Sequence, residues 1–116
     1  MRLPAVKIRH EVIKLVSSEK KIRGKLLEIR EAECYGSPRF LIAVPKRCGK
    51  AVRRNRIKRI IREWCRVNYG VFPEGNMWFI KVSPEVKELS DRKLSKELRG
   101  ELAELFSQLI GRRLNA

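Results

Sequence analysis

Arg39-Phe40-Leu41-Ile42-Ala43-Val44 is a nearly all-apolar run of strand length, halted by Pro45, which lacks the N–H that a central ladder requires. The run predicts a strand at the centre of a sheet, and the rest of the chain must cover it. After a loop at Lys46 to Lys50, Ile57, Ile60, Ile61 and Trp64 recur at spacings of three, one and three, predicting a helix from Val52 to Val67 whose apolar stripe faces the sheet. Gly70 to Gly75, with Pro73, ends that helix, and Asn76 to Val82 reads as another buried strand. Upstream, Ile8, Val12, Leu15 and Val16 form the stripe of a short helix, Val6 to Ser17. Alternation from Ile22 to Ala32 predicts one half-buried strand, with Leu27 and Ile29 on one face and Leu26, Glu28 and Arg30 on the other. Tyr35-Gly36-Ser37-Pro38 turns it into a hairpin. Ser83-Pro84-Glu85 starts a short turn of helix, and Leu94, Leu98, Leu102, Leu105, Phe106 and Leu109 align on a last helix, Asp91 to Ile110, capped by Ser90. The order helix, strands, helix, strand, helix describes an α+β fold.

With 116 residues and no repeat, low-complexity tract or long linker, the chain reads as one domain spanning 1–116. Its 28 Lys and Arg against 13 Asp and Glu leave a formal charge of +15, which points to a polyanion, a nucleic acid or an anionic membrane. No apolar run approaches the roughly 18 residues of a bilayer span, and Met1 to Lys7 lacks the apolar stretch of a secretory signal. Cys34, Cys48 and Cys65 are odd in number and far apart, and His10 is the only histidine, so neither a disulfide framework nor a zinc site is expected. Buried or half-buried thiols in a cytoplasmic protein fit that pattern.

The charge is concentrated between Lys46 and Arg66. Lys46, Arg47, Lys50, Arg53, Arg54, Arg56, Lys58, Arg59, Arg62 and Arg66 face one acid, Glu63. At about 100° per residue, Arg56, Lys58, Arg59, Arg62 and Arg66 lie opposite Ile57, Ile60 and Trp64, and Arg53 and Arg54 crowd the first turn. Arginine dominates, and its planar fork binds phosphate through two N–H groups and stacks on bases, which favours nucleic acid over lipid. A membrane helix would also need the apolar stripe that the sheet takes. Asn55 sits at the helix start, where unpaired N–H groups attract an anion; a local cap is the alternative reading. For catalysis by side chains there is no Ser-His-Asp or Cys-His pairing, no phosphate loop and no carboxylate cluster, so no catalytic or metal-ligating residue is assigned.

The segment Lys50-Ala51-Val52-Arg53-Arg54-Asn55-Arg56-Ile57-Lys58-Arg59-Ile60-Ile61-Arg62-Glu63, preceded by Arg39 to Gly49, resembles the bacterial ribonuclease P protein subunit, with Arg54-Asn55-Arg56 in the signature place. The resemblance is detailed from Arg39 to Arg66 and looser across nearly the whole chain. It implies a compact α/β sandwich whose basic motif lies on a left-handed crossover, against the usual right-handed rule.

By the same resemblance the partners are ribonuclease P RNA and precursor tRNA, with no membrane and no DNA. An RNA subunit using Mg²⁺ would remove the 5′ leader, giving an endoribonuclease in which this protein is an accessory. Lys46, Arg47, Lys50, Arg53, Arg54, Asn55, Arg56, Lys58, Arg59 and Arg62 would contact RNA, Arg54 and Arg56 through exposed side chains, and lower the Mg²⁺ demand. A leader cleft between the first helix and the sheet would be lined by Val12, Val16, Leu26 and Arg30. Val12 and Val16 stand where the family carries aromatic residues, so stacking from that helix is lost, and Glu28 beside the cleft would repel phosphate. A structural RNA-binding protein and a DNA-binding regulator are the rival readings; the spaced motif disfavours the first, and the strand before the basic helix disfavours the second.

Overall fold

A computed structural model gives the structure of residues 1–116. In chain order the elements are α1 (Arg9–Val16), β1 (Lys21–Arg23), β2 (Leu27–Glu33), β3 (Arg39–Ala43), α2 (Ala51–Val67), β4 (Asn76–Val82) and α3 (Asp91–Ile110), with 3-10 turns at Lys46–Cys48, Tyr69–Val71 and Pro84–Glu88. The four strands form one mixed sheet in the order β1-β2-β4-β3. β1 and β4 flank β2 antiparallel, and β3 runs parallel to β4 across the α2 crossover.

The register decides which side chains share a face. Leu27 lies beside Val82, Ile29 beside Ile80, and Glu31 beside Trp78. These point toward α2 and α3 and enclose the main core with Ile57, Ile61, Trp64, Leu94, Leu98, Leu102 and Phe106. Five aromatic rings knit this layer: Trp64 stacks on Phe106 at 5.6 Å, Phe72 meets Phe106 edge-on at 5.0 Å, and Phe40 stacks on Trp78 at 5.6 Å. Burying each such side chain stabilises the fold by roughly 1.5–3 kcal/mol. The Trp78 indole donates to the Glu31 carboxylate at 3.0 Å, so the one acid in this layer has a partner. On the opposite face Val6, Leu15 and Met77 make a smaller cluster under α1, joined by Val12, Leu41 and Phe79. No helix is long and apolar enough to cross a membrane. All three cysteines are free thiols, Cys48 and Cys65 buried and Cys34 half-buried.

Four expectations need correction. β4 lies between β2 and β3, so the turn at Tyr35–Pro38 makes no hairpin, and β3 is an edge strand with β2 and β4 central. Its apolar composition follows from cover on both faces and from the extended Pro4–Val6 segment, which pairs with its outer edge: Phe40 N–H donates to Pro4 and Val6 N–H to Phe40. That pairing also holds the chain extended at Val6, so α1 begins at Arg9. Finally, the single strand expected over Ile22–Ala32 is two, β1 and β2, joined by a turn at Gly24–Leu26. The Glu101 carboxylate of α3 accepts the backbone N–H groups of Lys25, Leu26 and Leu27 at 3.0, 2.7 and 2.6 Å, which holds the turn. A Cβ on Gly24 would lie 2.6 Å from the Glu101 Cδ, so glycine is needed there.

Candidate nucleic-acid interface

The β3–α2 junction presents the basic residues in two tiers. Cys48 is buried, its thiol 3.5 Å from the Val82 carbonyl, and this anchors a turn from which Lys46 and Arg47 project into solvent. Gly49 follows at φ 136°, in the region glycine favours, and its carbonyl accepts from Arg54 Nε at 3.1 Å. Lys50 is the N-cap residue and offers no side-chain cap, and no acid lies in the first turn. The helix therefore starts with free N–H groups and the positive end of its dipole among cations. Asn55 is the fifth helical residue, exposed and without a hydrogen-bond partner, so it is not a cap.

Along α2 the arginines divide by partner. Arg53 is a staple: its guanidinium donates to Asp91 Oδ1 at 2.7 Å and to the carbonyls of Val86 and Leu89 at 2.9 and 2.5 Å. Arg56 donates to the Asp91 carbonyl at 3.1 Å, leaving about two-fifths of its side chain exposed, 41%. Arg54 and Arg56 are thus half-buried rather than freely exposed as the sequence suggests, because the Gly49 and Asp91 carbonyls hold them. Lys58 is half-buried, and Arg59 and Arg62 are exposed with no carboxylate partner. Arg66 pairs with Glu63, and this holds the Glu63 carboxyl below its ordinary range. The helix thus keeps a band of unneutralised cations that runs on to Lys46, Arg47 and Lys50.

The second region lies on the sheet face under α1. Register places Arg30, Phe79 and Leu41 side by side, with Lys21 beyond Arg30 and Lys81 beside Glu28. Arg30 is half-buried and donates to the Ser18 carbonyl at 2.8 Å. Val12 packs into the small cluster and Val16 is 39% exposed. Leu26 does not belong to this face: it sits in the β1–β2 turn, 4% exposed in the main core, because Glu101 draws that turn toward α3. Glu28 is paired with Arg23 at 3.1 Å and Arg30 at 3.2 Å. Burial raises its pKa, but the hydrogen bond and charge of Arg30, aided by Arg23 and Lys21, outweigh that and lower it. A charge so paired repels phosphate far less than the sequence implies.

Phe79 and Lys81, the aromatic and the cation of this face, escape a reading of the sequence. β4 is apolar on both sides, so only its register with β2 reveals which residues look toward α1.

Comparison with known proteins agrees with this layout. The family model described as Ribonuclease P matches residues 5–106. The ribonuclease P protein component of Pelotomaculum thermopropionicum is 32% identical over 82 residues, 66% of this chain and 73% of that one. That of Desulforapulum autotrophicum is 39% identical over 72 residues, 62% of this chain and 58% of the relative. Among solved structures, the RNase P protein from Thermotoga maritima superposes with a TM-score of 0.78 at 25% identity, covering 90% of this chain and 96% of its own. The RNase P protein of Staphylococcus aureus gives 0.79 at 18% identity, over 90% and 94%, a likeness of fold.

Proposed function

The chain belongs to the ribonuclease P protein family, as a protein component of that endoribonuclease, and from this premise we propose that it binds the catalytic RNA through α2 and the Lys46–Lys50 turn. The observation that carries the reading is the band of unneutralised cations, Lys46, Arg47, Lys50, Lys58, Arg59 and Arg62, beside an uncapped helix N-terminus. Phosphates docked there lose much of their mutual repulsion, which would tighten packing of precursor tRNA against the RNA subunit. Arg53 supports this indirectly, by fixing α2 against the start of α3.

The 5′ leader of the precursor is proposed to cross the sheet face under α1, over Phe79 with Arg30 and Lys81 beside it. Stacking there would come from the sheet, since Val12 and Val16 offer none. The chain gathers no group of three His, Cys, Asp or Glu side chains fit to hold a metal ion. Mg²⁺ is proposed, from the family resemblance, to sit on the RNA subunit, where it would supply the hydrolytic chemistry. The protein's part is to lower the Mg²⁺ concentration needed, in the cytoplasm where precursor tRNA is made.

The test is cleavage of a precursor tRNA by a bacterial ribonuclease P RNA at low Mg²⁺, with protein alone as control. Correct 5′ ends formed only when RNA and protein are both present support the reading. Unchanged cleavage on adding protein, with the cognate RNA, sinks it. Replacing Arg59 and Arg62 together with Ala should raise the Mg²⁺ requirement severalfold at unchanged Tm, since neither side chain has a protein partner.

A further inference from the structure

Residues of α2 and α3 line a groove of about 500 Å³. That lies within the roughly 300–1,000 Å³ typical of sites for small organic groups. Its floor is Ile60, Val67 and the edge of Trp64, and its rim carries Arg56 and Arg59 from α2 and Arg99 from α3. Asn68 and Ala116 also line it. Arg99 is exposed, donates through Nε to the Ser95 carbonyl at 3.3 Å, and like Arg59 has no carboxylate partner. The one acidic side chain in the lining, Glu63, accepts two hydrogen bonds from Arg66. Arg59 and Arg99 therefore border the apolar lining without an anion of their own, and Arg56 adds a third guanidinium shared with Asp91, whose Oδ1 lies 3.7 Å away.

We propose that this groove is a binding site for one unstacked nucleotide of single-stranded RNA, its phosphate held by Arg56, Arg59 and Arg99 and its base laid on Ile60 and Val67. Charge complementarity selects the phosphate, since a rim of three guanidinium groups suits a bidentate oxyanion. The apolar floor selects a base over bare backbone. Continuity selects a strand over a free small molecule, because Arg59 also belongs to the cationic band of α2. A strand leaving that band can drop one base into the groove, and Arg99, on a different helix, fixes its path. The site rests on the reading that α2 binds RNA but needs no particular RNA, so its failure in the test below is distinguishable from a failure of precursor processing.

The test titrates a fluorescent decauridylate with the full chain at several salt concentrations. Arg99→Ala should weaken binding roughly fivefold and reduce the log–log salt slope by about 0.7, the share of one phosphate contact on a single strand. Lys25→Ala removes the same charge from an exposed site outside the groove and should do neither. A decamer of abasic ribose phosphates should bind several-fold more weakly than decauridylate to the wild type, and Val67→Ser should shrink that gap. Equal losses for Arg99→Ala and Lys25→Ala would overturn the phosphate clamp. An abasic strand that binds as well as decauridylate, or a gap that Val67→Ser leaves intact, would overturn the base floor. Arg99 and Val67 are both exposed, so equal Tm values should show that the fold is kept.

Discussion

Single side chains in this protein draw their meaning from partners far along the chain. Glu101 serves three backbone donors of a turn some 75 residues away. Removing it leaves those N–H groups without acceptors, and Glu101→Ala should cost about 3 kcal/mol. For a domain of this size that is roughly 10 °C in Tm. Gly24→Ala attacks the same contact from the other side by displacing the carboxylate, so the double variant should be less destabilised than the two single losses together. Strict additivity in thermal melts would refute the shared mechanism. The same distance explains a gap in what can be read from residues alone: nothing between Ile22 and Ala32 announces a break, because the group that stabilises it lies on α3. Likewise residue type does not distinguish Arg53 from Arg59, and the position of Asp91 and the Val86 and Leu89 carbonyls makes one a staple and leaves the other free.

Elements with long, strong patterns are legible in advance. β4 and α3 match their expected limits, and α2 begins one residue early, because their hydrophobic periods are set by one buried face against the sheet or by burial on both sides. Order within the sheet is not legible, since strand neighbours depend on how α2 returns the chain. The join between α2 and α3 rests on Arg53, whose fork reaches a carboxylate and two carbonyls at once. Lys offers one compact ammonium and cannot span them, so Arg53→Lys should destabilise the fold by about 2 kcal/mol, whereas Arg59→Lys should leave Tm unchanged. Equal melting of the two variants would dismiss the staple. Among the strands, Glu28 ties β1 to β2 through Arg23 and Arg30. Its pKa is lower folded than unfolded, so its stabilising effect is present at neutral pH and is lost as pH falls through the folded value. Glu28→Gln should be less stable than wild type at pH 7 and lose less of its stability below about pH 4. Parallel stability curves for the two would contradict this.

At the scale of the molecule, 28 basic residues against 13 acidic ones would make the proposed association with RNA a long-range electrostatic event. If six or more phosphates are engaged, affinity for the RNA partner should fall by roughly a thousandfold between 50 and 200 mM salt. A salt slope near zero would count against the whole cationic face. The surplus charge is legible in composition, and the Arg54-Asn55-Arg56 motif lies on the helix that carries much of it. The division of that face between free and engaged cations was not visible, because it depends on the docking of α3.

The pairing of Pro4–Val6 with the outer edge of β3 has a consequence for solubility. An apolar edge strand left bare offers a row of unsatisfied donors and acceptors to another chain, the usual route to strand-by-strand aggregation. At the other edge β1 is three residues long with Lys21 and Arg23 exposed, and both brevity and charge discourage such templating. Pro4–Val6 occupy the Phe40 donor and acceptor on that vulnerable side. Deletion of the first six residues should leave a chain that self-associates through β3, read as concentration-dependent light scattering with gain of intermolecular β signal, even where its affinity for RNA is little changed.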